Sequence, residues 1–242
     1  MRIPRFYCPE LNKNHELLNL PPQAHRHAIQ VLRLKEGARI NLFDGKGLEV
    51  SAELQKVSKR ESFASISSQI NEKNESPLPV RLIQSVSRSN RMDYTLQKAV
   101  ELGVTEIVPV ITTRCNGQFS GPRADKKRTH WEGVIISACE QSGRNVVPTL
   151  ADIQDYEEML ARYNQGTRLI LEPQAGEGFK NLQLQSEVSL LIGPEGGFSD
   201  EEVQQAISSG FQVVKFGPRI LRTETAAISA IAVIQTLWGD LG

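Results

Sequence analysis

Leu190-Leu-Ile-Gly-Pro-Glu-Gly-Gly-Phe-Ser199 is the stretch whose reading decides the fold class. An apolar run from Val188 to Ile192 stops at a glycine-bearing turn, and Ser199-x-x-Glu202 then opens a helix with the pattern of a capping box. A buried strand, a glycine turn and a capped helix in that order describe one strand end of an open α/β sheet, where ligands bind. Glycines there let backbone groups approach a ligand that a Cβ would hold off, and Gly196 is the position where an added side chain is expected to intrude. A tight connection uses glycines as well, so the stretch alone leaves both uses open.

The next strand end toward the C-terminus repeats the theme in Phe216-Gly-Pro-Arg-Ile-Leu-Arg-Thr-Glu-Thr-Ala226. Thr223 can serve as an N-cap, and Glu224 in the first turn suits the helix dipole. Arg222 has no such excuse, since a cation is unfavourable at a helix N-terminus; an anionic or electron-rich ligand explains it better. Neither loop has the spacing G-x-G-x-x-G, and no G-x-x-x-x-G-K-[ST] occurs, so dinucleotide and nucleoside-triphosphate sites lack support.

Outward from these loops, the chain from residue 80 alternates strands and helices. Strands are expected at 80–86, 106–112, 167–171, 188–192 and 211–216, and helices at 92–102, 124–141, 152–163, 200–209 and 223–238. Such alternation predicts a mostly parallel sheet covered by helices. The last helix is apolar nearly all round from Ala226 to Ile234, which calls for cover on more than one side. Upstream, the polar, proline-bearing stretch around residues 73–79 reads as a linker. Before it, 38–44 and 48–57 form a hairpin about Gly45-Lys-Gly47, with a further strand at 62–70 and a helix over 23–34. The expected organisation is a small β-barrel-like domain over 1–72, a linker over 73–79 and an α/β domain over 80–242.

The 242 residues carry 28 Lys+Arg and 28 Asp+Glu, a formal net charge of zero. The balance is uneven. Residues 1–144 hold 22 basic and 15 acidic residues, a net of +7, and residues 145–242 hold 6 and 13, a net of −7. A basic front can orient the molecule on a polyanion; chance segregation of surface charge is the plain alternative. No apolar run reaches the length of a membrane helix, and the N-terminus lacks the apolar core of a secretion signal. Cys8, Cys115 and Cys139 are an odd count without a C-x-x-C pair, which fits a reducing, cytoplasmic setting. Cys115 and Cys139 read as core fillers, and Trp131 and Trp238 as packing residues. His15, His25, His27 and His130 form no ligand pattern, so no metal is expected. A serine-hydrolase elbow is absent too.

Seven segments in order resemble the bacterial 16S ribosomal RNA uridine-N3 methyltransferases of the SPOUT, or knotted, superfamily. They are Arg2-Ile-Pro-Arg-Phe, His27-x-x-x-Val-Leu-Arg-Leu, Leu42-Phe-Asp-Gly45, Gln97-Lys-Ala-Val-Glu-Leu-Gly103, Ala138-Cys-Glu-Gln-Ser-Gly-Arg144, Leu191-Ile-Gly-Pro-Glu-Gly-Gly197 and Gly217-Pro-Arg-Ile-Leu-Arg-Thr-Glu-Thr225. The resemblance spans essentially the whole chain. It implies a PUA-like barrel followed by a domain tied in a deep trefoil knot that binds S-adenosyl-L-methionine (SAM). Since true knots are nearly absent from proteins, periodicity would never have predicted one. The resemblance further implies a homodimer and, as substrate, the decoding-region uridine at position 1498 of 16S rRNA in the small subunit.

On this reading the cofactor is wrapped by Leu171, Glu172 and Pro173, by Ile192, Gly193, Pro194, Glu195, Gly196 and Gly197, and by Phe216, Gly217, Ile220, Leu221, Arg222 and Thr225. Arg222 stabilises the uridine anion and Glu224 is the candidate base, with capping as its other explanation. The RNA contacts expected of the basic front are Arg2, Arg5, Arg26, Arg33, Arg88, Arg91 and Arg144. Arg123, Lys126, Lys127 and Arg128 are either an alternative RNA cluster or a solvated helix face. Two other classes compete: a non-catalytic RNA-binding assembly factor, which leaves both glycine loops without a use, and a nicotinamide oxidoreductase, whose fingerprint is missing.

Overall fold

The computed structural model describes residues 3–12, 14–71, 74–115, 121–173 and 177–242, and the chain divides into two units. The first comprises residues 1–75 together with 139–147; the second comprises 76–138 and 148–242. The stretch 139–147, within the span read as the α/β domain, therefore lies with the N-terminal unit.

In the first unit, alternating side chains make strands β1 (Arg5–Tyr7), β2 (Leu17–Asn19), β3 (Arg39–Phe43), β4 (Glu49–Gln55) and β5 (Phe63–Ile70). They form one sheet in the order β1-β3-β4-β5-β2. The expected β3–β4 hairpin is present, closed by Asp44, whose Oδ1 accepts the amides of Lys46 (2.7 Å) and Leu48 (3.0 Å). Phe6, Ile40, Leu42 and Leu54 are fully buried in its core.

The helix expected over 23–34 is different in kind. Four residues of α1 (Pro22–His25) pass into a π-helical turn, Arg26–Val31, after which Arg33 adopts a left-handed φ of 54°. The wider π turn keeps Ala24 and Ala28 inward but rotates Val31 (65% exposed) and Leu32 (43%) out of the core.

In the second unit, β6 (Val80–Ser85), β7 (Glu106–Ile111), β8 (Thr149–Leu150), β9 (Gln154–Asp155), β10 (Thr167–Leu171), β11 (Val188–Ile192) and β12 (Gln212–Val214) pair in parallel. The order is β12-β10-β11-β6-β7-β8, with β9 also against β7. β11 is buried at every position, as a parallel strand covered on both faces should be. Helices α2 (Ser89–Glu101), α3 (Pro122–Ser142), α4 (Tyr156–Arg162), α5 (Asp200–Ser208) and α6 (Thr223–Trp238) connect or follow the strands. α4 is shorter than its periodicity, because Gln154 and Asp155 pair with the end of β7 instead of starting the helix.

α6 packs on α2 and on β6 and β11. Ala227, Ala230, Ile231 and Ile234 are fully buried, whereas Ile228, Ser229, Ala232 and Val233 remain half-buried. Gln235 pins the helix end, donating to the Leu102 carbonyl (3.0 Å) and accepting from Ser76 Oγ (2.8 Å). Trp131 and Cys139 are buried as expected, and Trp238 is half-buried. Burial pushes the Cys8 and Cys139 thiols up to about 12.

Candidate functional site

Because β12, β10 and β11 are neighbours, the segments after Val214, Leu171 and Ile192 lie side by side at one end of the sheet. With the first turn of α6 they enclose a cleft of about 290 Å³. Its walls include Leu171, Glu172, Pro173, Ile192, Gly193, Pro194, Glu195, Gly197, Phe216, Ile220, Leu221 and Arg222, twelve of the fifteen residues expected to wrap a cofactor. Gly196, Gly217 and Thr225 are exposed and outside the walls. Phe198, Val214, Arg219, Thr223, Ala226 and Arg91 line it without having been assigned to it. The signal for Ala226 was available: it follows Arg222 by one helical turn.

Local chemistry holds the glycine loop in shape. Gly197 has φ +68°, a backbone state that L side chains rarely adopt, and its amide closes a turn onto the Pro194 carbonyl (3.0 Å). A Cβ on Gly193 would stand 3.1 Å from the Phe198 ring. The expectation for Gly196 needs correction, since a Cβ there meets the Arg114 side chain (3.1 Å), not the cleft. Arg114 Nη1 donates to the Gly196 carbonyl (2.9 Å).

The capping box of α5 is complete, and its Glu202 does more than cap. Its buried carboxylate accepts the amides of Ser199 (2.8 Å) and Thr113 (2.7 Å), fastening the loop after β11 to the loop after β7.

The charged groups of the cleft sort into paired and unpaired. Glu195 Oε1 accepts the Arg88 amide (3.1 Å) and lies 3.5 Å from Arg91 Nη1. Arg91 Nε is 4.0 Å from Glu224 Oε1, and Glu224 Oε2 is buried without a hydrogen-bond partner among the described residues. Glu224 itself is not part of the cleft wall. Arg222 is exposed, lines the cleft and has no ion-pair partner among the described residues.

Two residues expected at RNA are interior. Arg5 is buried and holds Glu49 through two bonds of 2.9 Å while donating to the carbonyls of Cys139 (2.7 Å) and Arg144 (3.1 Å). Arg144 is buried against Glu75 (2.5 Å). Arg5 commits four of its five N–H donors to these acceptors, and burial keeps both guanidiniums from a phosphate. Arg26, Arg33 and Arg88 are exposed, Arg91 belongs to the cleft, and Arg2 lies outside the described residues. In the alternative cluster, Arg123 and Lys126 are exposed and Arg128 pairs with Glu132 and Asp152 (3.2 Å each). Among the described residues no group of His, Cys, Asp and Glu is placed to hold a metal.

Comparison with known proteins places this geometry. An RNA methyltransferase domain model matches residues 74–235, and an RNA methyltransferase PUA domain model matches residues 20–67. Ribosomal RNA small subunit methyltransferase E of Buchnera aphidicola subsp. Schizaphis graminum is 35% identical, covering 99% of this chain and 98% of that protein. The Bacillus subtilis protein of the same name is 30% identical over 86% of each. Among solved structures, ribosomal RNA small subunit methyltransferase E from Neisseria gonorrhoeae bound to S-adenosyl methionine superposes with a TM-score of 0.93, at 44% identity and full coverage of both chains. A putative methyltransferase from Legionella pneumophila in complex with the bound cofactor SAM gives 0.97, at 39% identity and full coverage of both.

Proposed function

The chain belongs to the RNA methyltransferase family, and from that premise we propose that it methylates 16S ribosomal RNA of the small subunit with SAM as methyl donor. The finer reading is transfer to N3 of one decoding-region uridine, position 1498, by a cytoplasmic homodimer. What carries the proposal is the cleft, in which three adjoining strand ends, one glycine turn and an unpaired arginine converge. The SAM-bound structures of the Neisseria and Legionella proteins support the choice of cofactor.

The residues present fit such a group. Leu171, Ile192, Phe216 and Leu221 would cover its apolar surfaces, and Glu172 and the backbone of 192–197 would meet its polar ones. Bound there, it supplies an electrophilic methyl on a sulfonium. The rest falls to the chain. Uridine N3 carries a proton and is a poor nucleophile until that proton leaves. Arg222 would stabilise the resulting anion, and Glu224, whose Oε2 has a free acceptor site, would take the proton. Because Glu224 stands outside the cleft wall, it acts only on a base seated against the first turn of α6. In a duplex, pairing hides N3, so the target base must be unpaired or flipped out.

In this reading 1–72 is the PUA-like RNA-binding domain, 73–79 a linker and 80–242, apart from the stretch 139–147 that lies with the first unit, the knotted methyltransferase domain. β11 follows β6 and β10 in the chain yet lies between them in the sheet, an order compatible with the knot. The half-buried row Ile228, Ser229, Ala232 and Val233 on α6 supports a partner protomer. Exposed Arg26, Arg33 and Arg88 are the remaining RNA contacts.

Small subunits lacking the modification, incubated with the protein and labelled SAM, provide the test. N3 methylation blocks the pairing edge, so reverse transcription should stop once, at 1498, with label in the same fragment. Label at another nucleotide refutes the finer reading; RNA binding without any transfer favours the non-catalytic assembly factor.

A further inference from the structure

The sequence offers Thr223 as the N-cap of α6, yet the structure uses it otherwise. Arg222 occupies the N-cap with no side-chain bond, and Thr223 Oγ1 donates to the carbonyl of Gly193 at 2.6 Å. A hydroxyl has one proton to give, so the same oxygen must be the acceptor for Gln84 Nε2, 3.0 Å away. The second proton of that amide goes to the Ser85 carbonyl, also at 3.0 Å. The direction is therefore unique: Gln84 to Thr223 to Gly193. Both side chains are buried, and Gln84 Oε1 is left without a partner among the described residues. A buried amide with an unsatisfied acceptor is unfavourable by itself, so its donors are what it contributes.

The relay joins three elements. Gln84 sits on β6 in register with Ile192 of β11, Gly193 opens the glycine turn, and Thr223 begins α6. Gly193 and Thr223 both line the cleft. Gly193 has no side chain with which to fix its own peptide, and Thr223 does it instead.

We propose that Thr223, oriented by Gln84, is a positioning residue that fixes the glycine turn against α6 and so presets the cofactor cleft. This rests on the reading that the cleft holds SAM. The experiment compares wild type, Thr223→Val and Thr223→Ser by calorimetry with S-adenosylhomocysteine and by hydrogen exchange of the amides of residues 193–198. Valine keeps the shape and removes the hydroxyl; it should weaken binding by roughly tenfold, as for a buried acceptor left unpaired, and speed exchange in the turn. Serine should restore both. Binding within about twofold of wild type, with unchanged exchange, overturns the proposal. A purely helix-stabilising Thr223 would lower thermal stability without singling out the turn. If wild type does not bind the ligand, the cofactor reading falls, and exchange still decides the positioning role. Should the valine variant not fold, Gln84→Met takes its place, and unaltered exchange in the turn refutes the relay.

Discussion

Arg5→Met should destabilise the N-terminal unit by about 3–5 kcal/mol, the usual effect of breaking a buried ion pair and leaving one charge behind. The structure gives the terms. The Arg5 and Glu49 side chains are 7% and 5% exposed and share two bonds of 2.9 Å. After the substitution Glu49 keeps only Asn41 Nδ2, at 3.2 Å, from its set of donors, and the carbonyls of Cys139 and Arg144 lose theirs. Methionine fills much of the arginine stem but donates nothing. Urea denaturation followed by circular dichroism measures the loss, and Arg5→Met with Glu49→Leu should recover part of it, since the stranded charge goes while the two carbonyls stay without their donor. The double variant also separates structure from RNA binding: the salt dependence of ribosomal RNA affinity should match wild type. A change below about 1 kcal/mol, the range of an exposed pair, would refute the interior role. So would a salt slope lowered by about one unit, the signature of a lost phosphate contact.

Arg222→Ala should depress kcat far more than cofactor affinity, because an interaction with a developing anion appears in turnover; an equal loss in both would reassign Arg222 to cofactor binding. Glu224→Gln should depress kcat with little change in cofactor affinity, and wild-type turnover dismisses Glu224 as base. Gly197→Val should strain the turn and impair S-adenosylhomocysteine binding, whereas Gly196→Ala, whose Cβ would stand 3.1 Å from Arg114 Cβ and outside the cleft wall, should impair it less; calorimetry on both tells them apart. In the folded protein near pH 8, a thiol reagent should modify Cys115 and spare Cys8 and Cys139, whose pKa values of about 12 keep them protonated; three equally fast thiols would contradict their burial. Ile231 and Ile234 are buried within the protomer, so Val233→Glu is the substitution that should yield a monomer by sedimentation if α6 meets a partner.

What the sequence determined was local. The apolar run 188–192 is a strand because five residues in succession need cover on both faces, and Ser199 and Glu202 cap α5 because both partners lie within one turn. Two of the three strand-end loops that form the cleft, those after Ile192 and Val214, were legible for the same reason: glycines and charges sit where a strand or helix ends. Tertiary structure alone decided the partners. Arg5 finds Cys139 and Arg144 across more than 130 positions, and Thr223 finds Gly193 across 30. Arginine's charge argued for RNA and threonine's position argued for a cap, and each argument holds for an isolated segment. Folding replaced those local choices with buried acceptors, which an unmet hydrogen bond makes expensive to leave alone. The π turn at Arg26–Val31 follows the same logic, since it buries Ala28 in the core of the first unit and leaves Leu34 packed against that core.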